Sequence, residues 1–164
     1  MKEVTPQVEI IAETKMDFEK LQSYLDSIGA TEYDPQPAKS DGESLIVAAG
    51  KACYRSWQPA LNPNVTKTRN DARDYIGNII STGHGSVLEH TSVSFLIYNV
   101  SRVFTHELVR HRVGTAFSQE SLRFVRLTDI GFWIPQILKD EDNEKGEGIA
   151  LIKEAVEYLE SVQE

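Results

Sequence analysis

Residues 102–124 read R-V-F-T-H-E-L-V-R-H-R-V-G-T-A-F-S-Q-E-S-L-R-F. Guanidinium, imidazole, hydroxyl, amide and carboxylate groups crowd a run that still carries apolar residues at helical spacing. A helix needed only for packing has no use for so many polar groups of these kinds. Ser101 can cap such a helix, on which Arg102, His106 and Arg110 form an i, i+4, i+8 stripe beside Val100, Phe104 and Leu108. Arg110, His111 and Arg112 are consecutive and precede Gly114. Where the helix unwinds there, three donors can fan around a phosphate or diphosphate, and a planar guanidinium bonds oxygen pairs bidentately. The plain alternative for the stripe is a solvated basic face.

Ser118-Gln119-Glu120-Ser121-Leu122-Arg123 adds hydroxyls, an amide, a carboxylate and another guanidinium, a mix suited to a polar heterocycle, a ribose and a phosphate. Read alone it is equally a polar turn with a helix cap. A second concentration lies upstream at Gly83-His84-Gly85-Ser86-Val87-Leu88-Glu89-His90, and all four histidines fall between His84 and His111. His84, Ser86, Glu89 and His90, with His106 and His111, raise metal ligation as an alternative, but H-x-x-x-x-E-H is not a hydrolase spacing with a mechanical reason. Cys53, the single cysteine, has no sequence-local histidine or cation and reads as a small buried residue rather than a nucleophile. No G-x-G-x-x-G or G-x-x-x-x-G-K loop is present, so a dinucleotide has to be held by side chains.

At 164 residues, 40% hydrophobic and 26% charged, the chain has the size and composition of one ordinary globular domain. A net charge of -8 argues against a nucleic-acid binder. Between His84 and Arg126, however, Arg102, Arg110, Arg112, Arg123 and Arg126 face only Glu89, Glu107 and Glu120. A basic patch on an acidic protein suits a small anionic ligand in a pocket. No apolar run spans a bilayer and Met-Lys-Glu-Val-Thr-Pro carries no signal-peptide core, so a cytoplasmic protein with no membrane partner is expected.

The elements that must position these groups follow from periodicity. Val8–Glu13 alternates as a strand. Asp17 can cap a helix carrying Phe18, Leu21, Leu25 and Ile28 up to Gly29. Tyr33–Glu43 reads as a loop and Leu45–Trp57 as a buried helix. Thr66 or Thr68 opens a helix through Ala72, Ile76, Ile79 and Ile80 that ends at Gly83 or Gly85. Thr91–Asn99 alternates as a half-buried strand and Phe124–Ile134 looks extended. Asp140–Gly148 reads as a charged loop and Ile149–Val162 as an amphipathic helix. Helices and strands mix without regular βαβ alternation, predicting an α+β or mixed α/β fold.

Together, Arg110-His111-Arg112 with Ser118–Arg123, and Gly83–His90 as G-H-x-S-x-x-E-H, resemble the flavin-dependent thymidylate synthase family. The resemblance is clearest from Cys53 to Phe124. The segment Val113–Phe117 is one residue longer than the family's common spacing and carries Thr115 where a serine is usual. The resemblance implies a single domain over residues 1–164 with a mainly antiparallel sheet flanked by helices. It also implies a homotetramer whose active sites are shared between subunits.

The implied reaction converts dUMP to dTMP, with FAD as cofactor and with methylenetetrahydrofolate and NADPH as co-substrates. Carried onto matching positions, His84, Ser86, Arg110, His111, Arg112 and Gln119 would contact FAD. Glu107, Arg110, Gln119, Glu120, Ser121, Leu122 and Arg123 would line the dUMP site, with Ser121 and Arg110 in catalytic positions. Such a site needs no protein thiol, because electrostatic polarisation of the uracil can replace a covalent adduct. Family members continue for several tens of residues to a segment with an activating arginine, so a further segment beyond Glu164 is expected. A catalytically silent flavin- or nucleotide-binding fragment is the second reading, and a histidine-cluster metal protein the third.

Overall fold

Asp17 opens the first helix, its Oδ1 accepting from the Lys20 backbone N–H at 3.0 Å, and α1 runs Phe18–Ser27. In this computed structural model, which describes residues 2–35, 38–125, 131–139 and 144–163, two compact units form, Met1–Glu9 with Leu96–Glu164, and Ile10–Phe95.

Within Ile10–Phe95, three helices end or begin on local capping devices. α1 closes with Gly29 at φ +75°, where Gly29 N–H donates to Asp26 and Ala30 N–H to Leu25. That is a Schellman closure, and glycine suits its left-handed residue. α2, Asp41–Tyr54, starts on Ser40, whose Oγ accepts from Glu43 N–H. It closes the same way on Arg55 at φ 50°, with Ser56 N–H donating to Lys51. α3, Ala72–Ser81, is capped by Asp71 and closes through Gly83 at φ +71°, with His84 N–H donating to Ile79. A 3-10 helix follows at Gly85–His90.

Two small cores hold this unit. Leu25, Ala30, Ala48 and Trp57 form one, with Tyr33 and Leu61 against it. Val47, Tyr75, Ile79 and Val87 form the other, between α2, α3 and the 3-10 helix. Beside them lies a buried cation. Lys51 is 1% exposed, and its Nζ donates to the carbonyls of Arg69 at 2.9 Å and Ser56 at 3.3 Å. The ammonium also stands over the Tyr33 and Tyr75 rings, at 4.9 and 5.1 Å from their centroids. Burial lowers the Lys51 pKa to about 8.

In the other unit, β1 (Lys2–Glu3) pairs in parallel with β4 (Gly131–Phe132), with Lys2 opposite Gly131 and Glu3 opposite Phe132. Lys139 of α5 (Gln136–Lys139) bonds Glu3 at 2.5 Å. α4, Arg102–Leu108, is capped by Ser101 Oγ. α6 covers Glu144–Gln163. β2 (Gln7–Glu13) pairs with β3 (Val93–Tyr98), each strand lying partly in either unit, secured by Thr14 with Ser92 in the Ile10–Phe95 unit and by Tyr98 Oη donating to Glu9 at 2.7 Å in the other.

The mixed helix and strand content matches the expected class, but a mainly antiparallel sheet does not form. Helices dominate, the described strands make two separate pairs, and one pair is parallel. Other expectations shift locally. α2 begins at Asp41 because Ser40 supplies the cap, and ends at Tyr54 rather than Trp57. α3 begins at Ala72, not near Thr66, because Asp71 caps it and the Arg69 carbonyl is drawn to Lys51. α6 takes in Glu144–Gly148, part of the expected charged loop, whose residues 140–143 lie outside the described residues. Residues 126–130 of the expected extended stretch, Arg126 among them, also lie outside, as do Gln36 and Pro37. Within the rest of that stretch only Gly131–Phe132 is strand, and Phe124 sits in a turn.

β3 was expected to be half-buried, yet every residue of it except Ile97 is exposed. Among the described residues α4 has none that is buried, Phe104 being exposed and Leu108 half-buried. Alternation and helical spacing establish which face is apolar; covering it takes another surface.

Candidate functional site

α4 ends at Leu108, with Val109 as its cap. The two N–H groups that follow close it as a turn, Arg110 donating to Glu107 and His111 to Leu108. Arg110 therefore lies past the helix instead of continuing the stripe of Arg102 and His106. Arg110, His111 and Arg112 are all exposed in that turn, and Gly114 follows at φ +71°. Arg110 Nε stands 3.7 Å from Glu107 Oε1, with both side chains more than two-thirds exposed. Such a pair is worth only about 0–1 kcal/mol, so it leaves the guanidinium available to a stronger anion. Thr115 Oγ donates to the His111 carbonyl and ties the turn to the following loop.

The segment after that loop is drawn back toward α4. Gln119 Nε2 donates to Thr105 Oγ1 at 2.5 Å, and Arg102 Nη2 donates to the Glu120 carbonyl at 2.6 Å. Ser121 Oγ accepts from Arg123 N–H at 3.3 Å, and the Ser121 carbonyl accepts from Phe124 and Val125 N–H, so this serine also shapes its own turn. Leu122 is exposed, and the Arg123 guanidinium lies 5.7 Å from the Phe124 ring centroid. Glu107, Arg110, Gln119, Glu120, Ser121, Leu122 and Arg123 thus share α4 and its return segment. Guanidiniums, an amide and a hydroxyl there form a donor-rich surface suited to anionic oxygens.

His84 and Ser86 belong to the other unit. With Gly83, Gly85 and Val87 they line an open depression of about 340 Å³, whose opposite wall is Gly50, Cys53 and Tyr54. A Cβ built at Gly83 or Gly85 would meet nothing within 4 Å, so this wall is low and open to a flat ring. The depression is lined by the His84 imidazole and the Ser86 hydroxyl, and the exposed Arg110-His111-Arg112 turn carries donors suited to an anion.

Three residues here escaped the sequence reading. Cys53, expected to be buried, is exposed and lines the depression. Tyr54 Oη stands 3.2 Å from His84 Nδ1. Thr105 holds Gln119. A thirty-residue separation between Tyr54 and His84 leaves no periodic signal in sequence. The histidines are not grouped as ligands: among the described residues no cluster of three or more His, Cys, Asp or Glu side chains is placed to hold a metal. No helix among them is long and apolar enough to cross a membrane.

Residues 37–164 match the model of the family described as thymidylate synthase complementing protein. The flavin-dependent thymidylate synthase of Mycobacteroides abscessus is 35% identical over 158 residues, 96% of this chain and 55% of that protein. The enzymes of the same name from Mycobacterium leprae and Mycobacterium avium are 46% and 48% identical over 101 and 100 residues. Those stretches take up 62% and 61% of this chain, and 37% and 38% of the relatives. The chain thus spans about half or less of the length of the relatives it matches. Since the family match covers most of its length, the chain belongs to the thymidylate synthase complementing protein family, a family of enzymes.

Proposed function

We propose that the protein is part of a flavin-dependent thymidylate synthase, methylating dUMP to dTMP with methylenetetrahydrofolate as carbon donor and NADPH as reductant. The observation that carries this reading is the exposed Arg110-His111-Arg112 turn beyond α4, with Gln119 and Glu120 drawn back beside the same helix. His84, Ser86, Arg110, His111, Arg112 and Gln119 hold FAD, which supplies the hydride when bound. Arg110 and Arg123 neutralise phosphate charge. Glu107, Gln119, Glu120 and Leu122 bound the nucleotide, and Ser121 offers its hydroxyl to the reacting edge of the pyrimidine. Residues 1–164 act as one domain of a cytoplasmic homotetramer whose sites draw on several subunits. The exposed apolar residues of α4, α6 and β3, such as Phe104, Leu151, Tyr158 and Phe95, support an assembly that covers them.

Tritium release from C5-labelled dUMP, measured with NADPH and methylenetetrahydrofolate, tests the activity. A yellow protein that releases none would instead be a flavin- or nucleotide-binding fragment, and a colourless one would sink both readings. Arg110→Ala is expected to weaken flavin retention about 10- to 100-fold, since a charge-assisted bond contributes about 1.5–3 kcal/mol. Its denaturation midpoint should stay put, because the side chain is exposed. Equal flavin content in wild type and variant would refute the role given to Arg110.

A further inference from the structure

Two helix ends meet in the unit Ile10–Phe95. α2 closes on Arg55 in the left-handed region, and α3 closes through Gly83, each with the next N–H bonded five residues back. These closures fix the backbone at Tyr54 and His84. Asn62 Nδ2 donates to the Tyr54 carbonyl at 2.7 Å and holds that end further. Tyr54 Oη stands 3.2 Å from His84 Nδ1, and the two rings stack at 5.8 Å between centroids with 22° between planes. The packing of α2 against α3 through Gly50, Tyr75 and Ile79 sets this separation, not the exposed side chains themselves.

A phenol hydroxyl is a good donor, and the unprotonated nitrogen of a neutral imidazole is a much better acceptor than a phenol oxygen. With Tyr54 as the donor to Nδ1, the ring proton belongs on Nε2. The stacked Tyr54 ring limits rotation of the imidazole plane. His84 then offers its Nε2–H as a donor at the depression it lines with Gly83, Gly85 and Ser86.

We propose that Tyr54 is a positioning residue of the flavin site, locking the plane of His84 and its Nε2–H tautomer so that the imidazole donates to an oxygen of the bound cofactor. The proposal rests on the flavin reading above. Nitrogen NMR of the histidine rings, with flavin content measured in parallel, tests it on wild type and Tyr54→Phe. Phe keeps the stacking surface and removes only the hydroxyl of an exposed side chain, so the variant should fold.

In the wild type, His84 should populate the Nε2–H form almost alone, with Nδ1 resonating as a hydrogen-bonded acceptor. In Tyr54→Phe the Nδ1 signal should move to its unbonded position, and the Nδ1–H form should rise to the minority share of a free imidazole. Flavin retention should fall about 2-fold, since the competent tautomer and ring plane of His84 go from nearly full to partial occupancy. A protonated Nδ1 in the wild type, identical His84 signals in the variant, or altered signals with unchanged flavin retention would each overturn the proposal. If no flavin is bound by either protein while the tautomer responds as described, the flavin reading falls, and the control of His84 by Tyr54 stands.

Discussion

Gly50→Ala is expected to lower the unfolding free energy by about 1–2 kcal/mol, against the usual gain from replacing glycine inside a helix. Gly50 lies within α2 and is buried. A Cβ there would stand 2.9 Å from both Cε1 and Oη of Tyr75 and 3.1 Å from Cδ1 of Ile79. The Ile79 methyl can turn aside, but Tyr75 is 8% exposed, is packed with Val47 and Val87, and has nowhere to go. Overpacking of this kind costs about 1–3 kcal/mol, and better helix propensity returns at most ~1 kcal/mol. Gly50→Val should be worse than Ala, since it adds bulk at the same contact and loses χ1 freedom. Urea midpoints at fixed protein concentration report the difference. A Gly50→Ala protein as stable as wild type would mean that α2 and α3 do not approach this closely. Because Gly50 also lines the depression opposite His84, a shift of α2 should disturb the His84 ring signals too.

Stability should rise as pH goes from about 8 to 10 and fall beyond, an unusual profile traceable to buried Lys51 and half-buried Tyr33. Lys51 has a folded pKa of about 8 against an ordinary 10.5, because burial disfavours its charge. Between those values the unfolded chain holds a proton that the folded one lacks, so unfolding takes up a proton and stability climbs with pH. Below about pH 8 both states hold it, and the full cost of burying the charge remains, about 3 kcal/mol at 1.36 kcal/mol per unit. Tyr33, whose ring is tilted against Trp57 and lies under the Lys51 ammonium, is pushed up to about 12 from 10.0 by its burial. Above pH 10 the unfolded chain loses that phenol proton first, and stability declines. Lys51→Met should flatten the rise between pH 8 and 10. At pH 7 it should be nearly neutral, because the relieved charge offsets the lost bonds to the Arg69 and Ser56 carbonyls. A denaturation series in which wild type and Lys51→Met show the same slope from pH 8 to 10 would eliminate Lys51 as the source.

Both effects arise from residues that the sequence does not mark. Gly50 sits in an apolar small-residue run, Ile46–Gly50, and Lys51 looks like any solvated lysine on a helix. Their neighbours, Tyr75 and Ile79 for the one and Tyr33, Arg69 and Tyr75 for the other, lie 18 to 29 residues away in the chain. The helix ends were legible because their chemistry is local: Asp17 and Ser101 cap within three residues, and Gly29 and Gly83 take φ values that glycine adopts without strain. Where three capping residues competed, at Thr66, Thr68 and Asp71, the outcome went with the Arg69 carbonyl held by the distant Lys51.

Residue types and order therefore determined the family, the polar inventory of the Arg110–Arg123 stretch, the capped starts of α1 and α4 and the glycine-marked ends of α1 and α3. These depend on interactions within a few residues. The pairing of Tyr54 with His84, the exposure of Cys53, the burial of Lys51 and the parallel pairing of Lys2–Glu3 with Gly131–Phe132 were decided only by the tertiary structure. Each joins segments whose approach is set by core packing between helices or by strand register. Neither leaves a periodic trace in the chain.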